Sequence, residues 1–131
     1  MSTDFTSGKN IDHLKILIVD DDLASNLILK RPLEKQGHEI HIAKTGFEAI
    51  EICKNNPDLN LILMDIRMPE MDGYETTQKI REFNKDVIII VQTSNFYSGV
   101  KEMAIESGCN GYIAKPINFV ELNNIIRTFF N

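Results

Sequence analysis

Five short apolar runs recur along the chain: KILIVD (15–20), HEIHIA (38–43), NLILM (60–64), VIIIVQ (87–92) and GYIA (111–114). Each is followed by a stretch of helical periodicity, and this alternation constrains the fold more than any other feature. Runs of this length, rich in Val, Ile and Leu, read as strands. VIIIVQ is the most apolar and should be covered on both faces. Strands that alternate with helices through short links predict an α/β fold, a parallel sheet with helices on both faces.

The helices are predicted from about Leu23 to Gln36, from Thr45, from Asp72 to about Phe83, near 98–107, and from Asn118 to Phe129. Thr45 and Glu48 have the spacing of a capping box, and Asp72 with Glu75 and Asn118 with Glu121 offer similar starts. The helix after Thr45 should carry Phe47, Ile50 and Cys53 on its inner face. Gly108 stops the fourth helix. Pro32 lies inside the first, where it removes a backbone bond at a cost of about 3 kcal/mol, and a kink is expected there. Residues 1–13 are polar and read as a loose tail or linker, leaving 14–131 as one domain.

With 131 residues, the chain can bury roughly two-thirds of its unfolded surface in one domain. The net charge of −5 argues against the basic stripe needed for nucleic-acid binding, and against an anionic membrane surface. No apolar run approaches the ~20 residues of a membrane span, and the polar N-terminus has no signal-peptide core. Cys53 and Cys109 are far apart and lack zinc spacing, so they read as packing cysteines in a reducing cytoplasm.

Polar residues gather where the apolar runs end. The first run leads into Asp20, Asp21 and Asp22, the third into Asp65, the fourth into Thr93 and Ser94, and the fifth into Lys115-Pro116. In open α/β sheets, ligands bind beyond the carboxyl ends of the strands, where the strand order reverses. With an order of 2-1-3-4-5, Asp20, Asp21 and Asp65 would converge at that point. Carboxylates packed together repel unless protonated or bridged by a cation. A few hard oxygen ligands favour Mg²⁺, which keeps waters and accepts phosphate as a co-ligand. Lys115 and the Thr93 hydroxyl suit an oxyanion, and the whole set suits phosphoryl transfer to or from a carboxylate. Singly, each residue has a plainer reading. Asp22 suits a helix N-terminus, Thr93 a strand-end hydroxyl bonded to backbone, Lys115 a solvated lysine, and Tyr112 an amphipathic residue near a sheet edge.

The segments ILIVDD, LMDIRMPEMDG, IIIVQTS and GYIAKP, in this order and spacing, resemble the receiver domains of bacterial two-component signalling. The resemblance covers about residues 14–130 and implies a flavodoxin-like sheet of order 2-1-3-4-5. It implies that Asp65 accepts a phosphoryl group from the phosphohistidine of a histidine kinase or phosphotransfer domain. It also implies Mg²⁺ held by Asp21, Asp65 and the Arg67 backbone carbonyl, with Asp20 acting through water. Lys115 would pair with the phosphoryl oxygens, Thr93 and Tyr112 would form the switch, and the Lys115–Pro116 bond would be cis. Arg67 and Asn95, two residues beyond Asp65 and Thr93, are placed to affect the lifetime of the acyl phosphate. Asp22, Ser94 and Pro32 depart from the commoner family residues.

Two rival readings differ in class. VDDDLAS also fits the opening of haloacid-dehalogenase-like phosphatases, with Asp20 as nucleophile and Asp22 as acid, but the further acidic pair those enzymes need is missing after Lys115. A degenerate receiver serving only as an interaction module would lack some of the charged positions present here. The resemblance is greatest to the C-terminal receiver of a hybrid histidine kinase, whose parent could be membrane-anchored; the alternative is a stand-alone regulator. Ile105 and Val120 fall off the apolar stripes marked by Val100, Met103 and Ala104 and by Leu122, Ile125, Ile126 and Phe129. They suggest a homodimer or docking face on the last two helices and strand five.

Overall fold

The structure is a computed structural model that describes residues 13–94 and 99–130. Five strands, β1 (Lys15–Val19), β2 (Glu39–Ala43), β3 (Leu61–Asp65), β4 (Ile88–Thr93) and β5 (Gly111–Ala114), form one sheet of order β2-β1-β3-β4-β5. Every pairing is parallel. The helices are α1 (Leu23–Lys35), α2 (Gly46–Asn55), α3 (Gly73–Arg81), α4 (Val100–Ser107) and α5 (Phe119–Phe130).

Side-chain alternation divides the core into two layers. Ile16, Ile18, Leu61, Leu63 and Ile90 face α1 and α5, where they pack with Leu29, Leu33, Leu122 and Ile126. Leu17, Val19, Ile62, Met64, Ile89 and Val91 face the other way, against Ala49, Cys53, Tyr74, Ile80 and Ala104 of α2, α3 and α4. The three central strands are therefore apolar on both faces, which is why their sequences read as continuous runs.

The caps form largely as the spacing predicts. Thr45 Oγ1 accepts the Glu48 N–H at 3.1 Å, while the Glu48 carboxylate reaches one residue further back than a standard box, to the Lys44 N–H at 2.8 Å. Asp72 and Asn118 accept the N–H groups of Glu75 and Glu121. Gly108 ends α4 in the left-handed region, at φ 100°. Helix α3 stops at Arg81, short of Phe83, because the Glu82 and Phe83 N–H groups turn back to the carbonyls of Lys79 and Ile80. The expected start of the fourth helix at residue 98 lies outside the described residues, as do Asn95 and residues 1–12.

Two expectations, on Phe47 and Met103, need correction. Phe47 is 58% exposed. Helix α2 begins at Gly46, so Gly46, Ala49 and Cys53 take the inward positions, and Phe47 is rotated about 100° away from Gly46. Met103 is likewise half exposed, whereas Val100 and Ala104 are buried. Helix α1 is continuous through Pro32. The carbonyl left without a helical donor is that of Ile28, a residue on the solvent face where water can satisfy it. Ile105, Val120 and Tyr112 are exposed, and both cysteines are buried free thiols. Burial pushes the thiols of Cys53 and Cys109 up to about 12 and about 11, which leaves them unreactive. Among the described residues, no helix is long and apolar enough to cross a membrane.

Candidate functional site

Register brings the acidic residues together. Val19 pairs with Met64 across β1 and β3, so the next residues, Asp20 and Asp65, lie side by side at the carboxyl edge. The point where the strand order reverses lies between these two strands. Asp21 follows at the exposed rim. One carboxylate oxygen from each of Asp20, Asp21 and Asp65 lies within 4.8 Å of the others. Asp20 is 1% and Asp65 7% exposed.

Each carboxylate has a different set of partners. Asp20 accepts the Asp22 N–H on Oδ1 at 2.9 Å and the Lys115 ammonium on Oδ2 at 2.7 Å. Lys115 Nζ is 3.5 Å from Asp65 Oδ1, so it bridges the two strands. Burial and the neighbouring Asp20 charge raise the Asp65 carboxyl to about 6, against the opposing pull of Lys115 and the Arg67 backbone N–H. Burial disfavours the Lys115 ammonium, but its bond to Asp20 and the charges of Asp65 and Asp20 outweigh that, and its pKa rises. Asp22 is occupied elsewhere. Its carboxylate accepts the Ala24 N–H at 3.1 Å and the Ser25 hydroxyl at 2.9 Å, capping α1. A general-acid role for Asp22, which the phosphatase reading requires, conflicts with this geometry.

β4 and β5 complete the edge. Thr93 ends β4 and is buried, and its carbonyl accepts the Lys115 N–H at 2.8 Å. Tyr112 sits on the edge strand β5, 37% exposed. The Lys115–Pro116 bond is cis. Arg67 is exposed and, with Asp21, Met68, Asp72, Tyr74 and Met103, lines an open groove of about 670 Å³ beside the acidic cluster. The donor set fits a small, hard dication: carboxylate oxygens close together, with one carboxyl raised by burial and by the charge of its neighbour Asp20.

Two supporting residues escaped the sequence reading. Asn26 is fully buried and donates from Nδ2 to the Asp20 carbonyl at 2.8 Å, fixing the turn that carries Asp20 and Asp21. It shares the inward stripe of α1 with Leu29 and Leu33, and a polar residue in such a stripe was the available signal. Gln92, also buried, donates to the Leu63 carbonyl at 2.9 Å. Gly73 holds the other side of the site. Its N–H donates to the Ile66 carbonyl at 2.8 Å, and a Cβ there would lie 2.2 Å from the Asp65 carbonyl oxygen. Because the obstacle is backbone, Gly73→Ala must displace either α3 or the end of β3. It is expected to cost about 2–3 kcal/mol in urea denaturation and to weaken cation binding; a stability within 0.5 kcal/mol of wild type, on the order of surface substitutions, would show that the loop yields freely.

Residues 16–127 match the family model of the response regulator receiver domain, and the chain belongs to that family. It is 35% identical over 130 residues to hybrid signal transduction histidine kinase I of Dictyostelium discoideum, covering 93% of this chain and 8% of the kinase. The receiver domain of Saccharomyces cerevisiae Ssk1, solved with the histidine phosphotransfer protein Ypd1, superimposes with a TM-score of 0.84 at 33% identity, over 90% of this chain and 89% of that one. The receiver domain of the Pseudomonas aeruginosa sensor histidine kinase PA1611, with magnesium in its active-site cleft, gives 0.79 at 30% identity, over 89% and 97%. The chain spans a quarter or less of the length of several curated relatives that it matches. It is a receiver domain of a two-component phosphorelay, a module found both in hybrid kinases and in response regulators.

Proposed function

We propose that Asp65 is the phosphoacceptor, taking a phosphoryl group from the phosphohistidine of a kinase or phosphotransfer domain. The observation that carries this reading is the Asp65 carboxylate itself, at a strand end, within 4.8 Å of two other carboxylates and 3.5 Å from Lys115. An Asp65 oxygen forms the new P–O bond, the P–N bond to the donor imidazole breaks, and the imidazole keeps the electron pair and takes up a proton. Asp21, Asp65 and the Arg67 carbonyl would hold Mg²⁺, with Asp20 through water; when bound, the cation offsets the charge of the carboxylates and of the phosphoryl oxygens. Lys115 pairs with a phosphoryl oxygen, and the Arg67 N–H keeps the Asp65 carboxylate oriented. Transfer to and loss from Asp65 are self-catalysed, and no substrate turns over.

The donor approaches along α1. Leu23 opens this helix directly after the acidic turn, and Leu23, Leu27 and Ile28 are exposed apolar residues along it. Output leaves through the opposite edge, where Thr93 relays the new charge to Tyr112 on β5. Ile105 and Tyr112 line an apolar cavity of about 130 Å³ there, which offers a face for a second copy or for the parent kinase, and Val120 is exposed on α5. Membership of a hybrid histidine kinase is the reading supported by the Dictyostelium relative, with a stand-alone regulator as the alternative; the surrounding gene sequence decides between them.

The test is incubation with Mg²⁺ and a small phosphoryl donor such as acetyl phosphate, alongside a phosphomonoester. A receiver accumulates at most one hydroxylamine-sensitive acyl phosphate per chain and leaves the monoester intact. Multiple turnover of the monoester would establish a phosphatase instead.

A further inference from the structure

Asp20 and Asp21 are neighbours in the acidic cluster but are held in different ways. The Asp20 N–H donates to the Ala43 carbonyl at 3.1 Å, and its two carboxylate oxygens accept the Asp22 N–H and the Lys115 ammonium. The Asp21 carboxylate is exposed and has no hydrogen-bond partner among the described residues, yet one of its oxygens converges with those of Asp20 and Asp65. Its direction is therefore decided by the backbone leaving β1, beginning with the peptide that joins Asp20 to Asp21. The oxygen of that peptide is the Asp20 carbonyl, which accepts Asn26 Nδ2 at 2.8 Å. A carbonyl can only accept, so the amide nitrogen of Asn26 must face it and Oδ1 must point elsewhere. That oxygen is buried and meets no donor among the described residues. Burying an unpaired acceptor is costly, and an apolar residue in this stripe, beside Leu29 and Leu33, would avoid the cost. Core packing thus disfavours the amide, and its one bond goes to the acidic turn.

We propose that Asn26 is a positioning residue for cation binding, holding the Asp20–Asp21 peptide so that the Asp21 carboxylate is turned toward Asp20 and Asp65. A peptide is planar, so fixing its oxygen fixes the ψ of Asp20 and the φ of Asp21 together. Without the bond the peptide rotates, and Asp21 spreads over orientations in which its oxygens no longer converge with the other two. A cation must then gather the ligand that the folded chain had already placed. Asp20 keeps its three other bonds, so the effect falls on Asp21. This inference rests on the reading of the acidic cluster as a cation site, but it does not depend on any phosphoryl transfer.

The experiment is Mg²⁺ titration of the full chain, with no phosphoryl donor present, in a cycle of wild type, Asn26→Leu, Asp21→Ala and the double variant. Leucine keeps the branched shape of asparagine and removes the donor; unchanged amide spectra away from the site verify the fold. Asn26→Leu is expected to weaken Mg²⁺ binding about tenfold, the size usual for losing a residue that orients a metal ligand. In the Asp21→Ala background the same substitution should change the affinity by less than about twofold, because the carboxylate it positions is gone. Asn26→Ser, a smaller change whose hydroxyl is still a donor, should fall between wild type and Asn26→Leu, and it carries the test if leucine overpacks the core. A loss of the same size with and without Asp21 would overturn the proposal, since it would report a general distortion of the site. If wild type bound no Mg²⁺, the cation-site reading would fall together with the inference. If wild type bound it and both Asn26 variants matched that affinity, only the inference would fall.

Discussion

Asp65→Asn is expected to reduce acyl-phosphate labelling to background, whether the donor is acetyl phosphate or a phosphorylated partner protein. No neighbour is placed to substitute. Asp20 has both oxygens engaged, Asp22 is held in the cap of α1, and Asp21 is exposed at the rim. Labelling at the wild-type level would mean that another residue accepts the group. The same substitution should stabilise the protein in the absence of metal. The Asp65 carboxyl rises from an ordinary 3.8 to about 6 on folding. Between those values the native state binds more protons than the unfolded state, so the contribution of Asp65 to stability falls as pH rises through this window. Above about pH 6 the full penalty of an ionised, buried carboxylate is present. Asparagine removes it, and the expected gain is roughly 2 kcal/mol in urea denaturation with EDTA at pH 7, disappearing below about pH 4. An identical stability difference at both pH values would rule out this origin.

Asp21→Ala, or chelation of the wild type, should have the second large effect. A cation that neutralises charge at a transferring phosphoryl group contributes several kcal/mol, so labelling should slow by at least about 100-fold. Without it, the incoming phosphoryl group meets two or three carboxylates opposed only by Lys115. The position of Asp21 makes this a clean measurement. Its side chain is exposed, so its loss should leave the metal-free stability within about 0.5 kcal/mol, as for other surface substitutions. Slow labelling in a folded Asp21→Ala variant, partly restored by high Mg²⁺, separates ligand loss from misfolding. Undiminished labelling in excess EDTA would remove the cation from the mechanism.

Elements were legible in the sequence wherever local chemistry alone decides them. Strands such as ILIV and IIIV need β-branched and apolar residues in a run because both faces are covered, and that requirement is visible without coordinates. Helix starts at Thr45, Asp72 and Asn118 were visible because a side chain must satisfy the first free N–H groups nearby. The site was visible for a related reason. Asp20, Asp65, Thr93 and Lys115 end or follow strands at the carboxyl edge, and a parallel sheet gathers all such ends at one side.

The rotation of each helix against the sheet was not visible. Period is local, but phase depends on which residue the next layer meets, and so Phe47 and Met103 turned outward while Gly46 and Val100 turned in. Asn26 was overlooked for the same reason: its bond is to the Asp20 backbone, six residues away in sequence but adjacent once α1 folds onto β1. The pairing of Lys115 is the furthest removed from local information. Ninety-five residues separate it from Asp20, and its preference for Asp20 over Asp65 rests on a difference of 0.8 Å set by the stacking of β1, β3, β4 and β5. Composition supplied the charges and the order of the strands brought them to one edge, but only the packed sheet could settle which carboxylate the ammonium neutralises.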